Sequence, residues 1–298
     1  MTRVLLIGRH GQVARAVREQ ASAHEDYMLD VLARPEIDLA QPQGLAERVA
    51  ERRPDIVINA AAYTAVDRAE SEPALAARIN CDAVAELAAG AEAAGAVFIH
   101  LSTDYVFDGT GQAAWTPDDA PSPIGVYGRT KREGELAAMA RCERTLIVRT
   151  AWVFSPFGNN FVRTMLRLRE QHDELRVVAD QYGNPTSALD IARGLWAAVA
   201  MIEDGAEESY GVFHLAGDGA THWADFAREI FRQVGGGDGR GMTVHAIPSD
   251  EYPTAAQRPA NARLDSSRFE AVFGFRCSPW PQALAEVLER LAREPSQQ

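Results

Sequence analysis

Apolar positions in the first half of the chain fall in short, near-continuous runs: Val4 to Ile7, Tyr27 to Ala33, Asp55 to Asn59, Val97 to Leu101 and Leu146 to Arg149. Runs of this length, apolar on consecutive positions, read as strands covered on both faces. Helical stretches separate them. The first starts at the turn after Ile7 and runs to about Ala23, the second spans Gly44 to Arg53 ahead of Pro54, and the third spans Pro73 to Ala94. Another helix contains Tyr127. Strands alternating with helices predict an α/β protein with a doubly wound parallel sheet. The stretch from Ser102 to Gly125 is long, irregular and rich in glycine and proline, and loops of that kind usually carry function.

After about Thr150 the alternation becomes less regular. Helices are predicted over Phe161 to Glu170, Ala188 to Ile202, Trp223 to Val234 and Pro281 to Arg293. Strands are predicted over Leu175 to Val178 and Tyr210 to Leu215, a glycine turn over Gly235 to Gly241, and irregular chain over Arg258 to Asp265. The expected organisation is a nucleotide-binding domain over 1–150 and a smaller α/β substrate-binding region over 151–298, with segments returning to the main sheet.

Composition narrows the function. A formal net charge of −12 disfavours nucleic acid and anionic membranes as partners. The three cysteines, Cys81, Cys142 and Cys277, are odd in number and form no CxxC pair, which fits inert thiols in a reducing cytoplasm. The apolar run at Val4 is too short for a signal peptide or membrane span. The expectation is a soluble cytoplasmic protein.

Gly8-x-x-Gly11-x-x-Ala14 closes the first strand and opens a helix. In that position glycines let backbone approach a pyrophosphate, and the helix N-terminus supplies donors and a favourable dipole. The turn predicts a Rossmann-type dinucleotide site, with Gly8, His10, Gly11, Gln12 and Val13 on the cofactor. Arg34, at the end of the second strand, suits a ribose 2′-phosphate, so NADPH is favoured over NADH; a plain strand-end charge is the competing reading. Asp38 and Leu39 follow where an adenine would lie. The small residues Ala60, Ala61 and Ala62, then Tyr63, leave room for the cofactor beyond the third strand.

Lys131 is the only lysine in the chain, and it follows Tyr127 by four residues. On a helix those positions share a face. A phenol beside an ammonium would ionise more easily, as a general acid near neutral pH requires. Ser102 and Thr103 end the fourth strand, on the side where open parallel sheets bind ligands, so a hydroxyl there could meet a substrate carbonyl. Arg258 could reach a diphosphate or form an ordinary salt bridge. The seven histidines show no ligand spacing and read as structural or solvated.

Together, GxxGxxA, Asn59-Ala60-Ala61-Ala62, the segment Ser102 to Gly109 and Tyr127-x-x-x-Lys131 resemble the extended short-chain dehydrogenase/reductases. More narrowly, they resemble the dTDP-4-dehydrorhamnose reductase family. Thr64 to Glu70, Arg149 to Phe154, Gly158 to Phe161, Asp180 to Thr186 and Arg258 to Leu264 extend the likeness over residues 3 to 285. The resemblance implies NAD(P)H-dependent reduction of the C4 ketone of dTDP-4-dehydro-L-rhamnose. Tyr127 would be the proton donor, Lys131 would hold the nicotinamide ribose, and Thr103 would polarise the carbonyl. Asp104, Trp152, Asn160 and Arg258 would lie on the substrate side. Ala262 stands where relatives often carry serine.

Some relatives form a magnesium-bridged dimer; no acidic cluster here can be assigned to Mg2+, and both monomer and homodimer stay open. Asp104 is followed by Tyr105, without the glutamate that dehydratases of this fold use as an extra acid and base, which favours a reductase. Epimerases of the fold are excluded less firmly. A non-catalytic NADP-binding subunit, resembling the regulatory subunit of methionine adenosyltransferase, is the alternative.

Overall fold

The protein is described here by a computed structural model, over residues 1–235 and 241–293. Five strands of the first half form most of the main sheet: β1 (Thr2–Ile7), β2 (Tyr27–Leu32), β3 (Ile56–Asn59), β4 (Val97–Thr103) and β5 (Thr145–Thr150). Their side chains alternate between two cores, as the two-residue period of a strand demands. Val4 and Leu6 of β1 face one core, with Ile56, Ile99 and Val148. Leu5 and Ile7 face the other, with Val57, Phe98 and Ile147.

The helices of the first half are α1 (Gln12–Gln20), α2 (Leu45–Glu51), α3 (Val66–Ser71), α4 (Pro73–Ala77), α5 (Ala83–Ala93) and α6 (Val126–Arg141). Val13 and Val17 of α1 cover the first core, whereas Leu45, Val49, Leu87 and Ala138 from α2, α5 and α6 cover the second. The single helix expected over Pro73 to Ala94 is divided. A five-residue π-helical segment, Arg78–Asp82, joins α4 to α5. The six residues of α3 lie in a stretch to which the hydrophobic pattern assigns no element.

The second half supplies β6 (Val153–Phe154), α7 (Phe161–Arg169), β7 (Glu174–Val178), β8 (Tyr182–Gly183), β9 (Thr186–Ser187), α8 (Ala188–Glu203) and β10 (Gly211–His214). β10 joins the main sheet, giving the six-stranded order β10-β5-β4-β3-β1-β2, parallel throughout. α8 lies along α1, and the Trp196 indole N–H donates to the Val17 carbonyl at 3.3 Å.

The remaining elements are β11 (Thr221–His222), α9 (Trp223–Val234), β12 (Thr243–Ile247), β13 (Asn261–Ala262), α10 (Ser267–Phe273) and α11 (Trp280–Arg293). β7 pairs with β12, β8 with β11 and β13, and β6 with β9. The irregular chain expected at Arg258 to Asp265 thus contains the short strand β13. The glycine turn expected over Gly235 to Gly241 lies mostly outside the described residues. No helix among the described residues is long and apolar enough to cross a membrane.

Candidate active site

The strand order reverses direction between β1 and β3: the chain leaves β1 toward β2 and returns past it to β3. Ligands of open parallel sheets bind beyond the strand ends at such a reversal. A cavity of about 850 Å³ opens there. Its lining includes Gly8, His10, Gly11, Gln12 and Val13 from the turn into α1, Arg34, Asp38 and Leu39 after β2, and Ala60, Ala61 and Ala62 after β3. Thr103, Asp104, Tyr127, Lys131 and Trp152 line its other end.

The cofactor end fits a dinucleotide. Gly8 has φ +113°, and a Cβ there would lie 3.3 Å from the Ala61 Cβ, so a side chain would be both strained and crowded. Gly11 is the N-cap of α1, no side chain caps that end, and the first turn carries no acid. Its backbone donors are therefore available to an anion. Arg34 has no carboxylate partner among the described residues and remains a free cation on the lining.

The chemical end is buried. Tyr127 is half-buried on the cavity lining, and desolvation pushes its phenol up to about 12; the neighbouring Thr103 hydroxyl pulls it down and Asp104 raises it. The sequence placed the Lys131 ammonium against this phenol and expected a lowered value. Instead the lysine, only 1 % exposed, turns toward β4: Nζ donates to the Leu101 carbonyl at 2.7 Å and lies 3.2 Å from His100 Nε2. Burial lowers Lys131 to about 8, with Glu135 favouring the charged form. The reason is reach: four methylenes carry Nζ past the phenol to the backbone of the adjacent strand.

Thr103 Oγ1 donates to Asp104 Oδ1 at 2.8 Å and accepts from the Tyr105 N–H at 3.2 Å. Asp104 Oδ2 has no partner among the described residues, and burial raises this carboxyl to about 7. The ring of Trp152 stacks on Trp223 with centroids 3.5 Å apart. Its φ of +46° is unusual for a bulky residue.

Three expected site residues stand off the cavity lining. Tyr63 donates its hydroxyl to Glu72 Oε2 at 2.6 Å. Asn160 caps α7 through the Arg163 N–H at 3.2 Å and holds Gln12 Oε1 at 3.0 Å, leaving its neighbours Gly158 and Asn159 on the lining. Arg258 pairs with Asp67 at 2.6 Å, near the Tyr105 ring. Its Nη1 is buried with no partner among the described residues.

Several supporting residues escape sequence reasoning. Glu70 of α3 accepts the Val126 N–H at 2.8 Å, capping the helix that carries Tyr127 where backbone donors are otherwise unsatisfied. Asn80, inside the π-helical segment, accepts from the Tyr63 N–H at 2.8 Å and donates to Thr130 Oγ1 at 3.2 Å. Beneath Lys131, Glu135 takes two bonds of 2.8 Å from Arg149. Glu135 is a buried charge on the helix of Tyr127 and Lys131, whereas Glu70 lies in a mostly polar, exposed helix that carries no such signal.

Among the described residues no group of three or more His, Cys, Asp and Glu could hold a metal ion. The family model for the RmlD substrate binding domain matches residues 1–293. The chain is 43 % identical over 293 residues to a dTDP-4-dehydrorhamnose reductase of Sinorhizobium fredii, covering 98 % of both. The crystal structure of a dTDP-4-dehydrorhamnose reductase from Clostridium acetobutylicum superimposes with TM-score 0.90 at 36 % identity, covering 98 % of this chain and 100 % of that one. A Bacillus anthracis dTDP-4-dehydrorhamnose reductase in complex with NADP gives TM-score 0.87 at 32 % identity, covering 97 % and 100 %. The chain belongs to the dTDP-4-dehydrorhamnose reductase family.

Proposed function

We propose that this protein reduces the C4 ketone of dTDP-4-dehydro-L-rhamnose to give dTDP-L-rhamnose, with NADPH as the reductant. The observation that carries the reading is the convergence of Thr103, Tyr127 and Lys131 on one cavity with the glycine turn and Arg34. Bound NADPH supplies the hydride. The turn at Gly8 and Gly11 with the α1 N-terminus would hold its pyrophosphate, and Arg34 a 2′-phosphate. Tyr127 donates the proton to the forming C4 alkoxide; a phenol of high pKa in the resting site stays protonated until that charge develops. The Thr103 hydroxyl, which donates its one proton to Asp104 in the resting site, would turn that proton to the same oxygen. Trp152 closes the sugar side. The free thiols suit a cytoplasmic place for the reaction.

The test is the loss of NADPH absorbance with dTDP-4-dehydro-L-rhamnose. Wild-type turnover with a loss of ~10²-fold or more in Tyr127→Phe, the range for a positioned general acid, is expected. NADPH binding without turnover on any nucleotide-sugar ketone would instead support the non-catalytic subunit.

A further inference from the structure

Trp152 lines the chemical end of the cavity from a backbone conformation that tryptophan seldom takes, with φ +46°. A bulky residue stays in that region only where its surroundings over-determine it, so whatever holds Trp152 bears on the site. Its backbone is fixed just beyond β5. The Thr186 N–H donates to the Trp152 carbonyl at 3.2 Å, and β6, which starts at the next residue, pairs with β9.

The indole is fixed from two further directions. On one face lies Trp223, the first residue of α9, with ring centroids 3.5 Å apart and planes 9° from parallel. Two free rings would settle into an offset or edge-on arrangement, so this closely overlapped pair is held by its supports. Gly183 of β8 closes a second side: a Cβ there would come within 2.5 to 2.9 Å of Trp152 Cε2, Nε1 and Cζ2. The indole therefore fills the space that any other residue at 183 would need. Trp223 and Gly183 are tied to each other, because Gly183 pairs with Thr221, two residues before Trp223. Trp223 also packs on Phe161 at 4.7 Å, and Phe161 on Phe226 at 5.3 Å, where Phe226 belongs to the buried core. The stack is anchored in the packed second half of the chain.

We infer that Trp223 and Gly183 are positioning residues for the substrate, clamping the Trp152 indole in one orientation so that the sugar meets a fixed apolar wall. The inference deepens the reductase reading and takes its substrate from it: a deoxyhexose whose methyl group and ring C–H bonds suit an aromatic surface. Neither residue lines the cavity, so both act through Trp152. A wall already ordered spares the entropy that a mobile side chain would lose on binding. It meets ketone and alkoxide alike, so its contribution belongs to binding and not to the chemical step.

The test compares Trp223→Leu, which frees one face of Trp152, with Trp223→Phe, which keeps a ring there. With dTDP-4-dehydro-L-rhamnose and NADPH, KM for the sugar nucleotide should rise about three- to tenfold in Trp223→Leu, the range of one aromatic pair. Its kcat should stay within about twofold of wild type, and Trp223→Phe should recover most of the loss. Gly183→Ala presses on the ring with Trp223 in place and should raise KM in the same way. The Kd for NADPH, whose glycine turn lies at the other end of the cavity, should not change. A wild-type KM in Trp223→Leu or Gly183→Ala, or a loss confined to kcat or thermal stability, would overturn the inference. Two indoles stacked at 3.5 Å also give an exciton couplet in circular dichroism, which should vanish in the folded Trp223→Phe variant. That readout needs no turnover. A couplet in a protein that reduces no sugar would support the clamp and sink the reductase reading, whereas wild type without the couplet would refute the clamp whatever its activity.

Discussion

Asp104 is the residue whose environment departs furthest from what a carboxylate prefers. It is 2 % exposed, one oxygen takes the Thr103 hydroxyl, and the other has no partner among the described residues. Burial lifts it from 3.8 to about 7, so the folded chain binds this proton more tightly than the unfolded one. The stability it contributes is fully present below pH 3.8 and is lost as pH rises through about 7. Asp104→Asn cannot ionise and escapes that loss. Urea unfolding of the two proteins should diverge across this window in favour of the asparagine, by a few kcal/mol at most. A difference independent of pH would mean that water reaches the carboxylate. Asp104 entered the sequence reading only through the family resemblance, and it lines the cavity. Its unpartnered oxygen was not legible, since no spacing rule reports which neighbours a loop leaves behind.

At the scale of elements, α6 is pressed against its surroundings closely enough to leave no room for a methyl. A Cβ on Gly128 would lie 2.0 Å from the Tyr105 carbonyl oxygen, and one on Gly134 2.0 Å from that of Asn80. The second contact belongs to the π-helical segment, where an extra residue in the turn brings Asn80 against the helix. Gly134→Ala should therefore cost about 1–3 kcal/mol as an overpacked contact, against a gain of up to ~1 kcal/mol in helix propensity. It should also lower kcat, because α6 cannot shift without moving Tyr127 and Lys131. Leu136→Ala, on the exposed face of the same helix, is the control for stability and activity. Unchanged stability and turnover in Gly134→Ala would show that the π-helical segment yields instead. Sequence found α6 from Tyr127 and Lys131, but an alanine-rich stretch carries no sign of whether its turns close after four residues or five. It also placed Lys131 against Tyr127, because i and i+4 share a face; the length of the lysine side chain decided otherwise.

Across the whole molecule, the main sheet was readable because its strands, covered on both faces, are written as apolar runs. The small sheets of the second half were not, since two-residue strands such as β8 and β13 have no period and pair across long stretches of chain. The main sheet also holds the chain's response to acid. His100 of β4 and His214 of β10 lie on strands that flank β5 and are both 0 % exposed. Burial holds His100 well below 6.5, and burial with the Arg149 charge brings His214 to about 3. For a histidine depressed on folding, the stability is present above 6.5 and is lost as pH falls through the folded value. Each contributes a slope of up to ~1.4 kcal/mol per pH unit inside that window. Acidification also restores the Asp104 contribution between about 7 and 3.8 and relieves the repulsion of a chain with net charge −12, effects of opposite sign, the first from a single buried group and the second spread over screened surface groups. The buried pair should win, so stability should fall steadily from pH 6.5 toward 3. His214→Asn separates the contributions: its amide can replace the Nδ1 donor that meets the Trp115 carbonyl at 3.0 Å but cannot titrate. Chemical unfolding across the window should show a shallower decline in that variant. An identical slope would leave the acid sensitivity to His100 and remove His214 from the account.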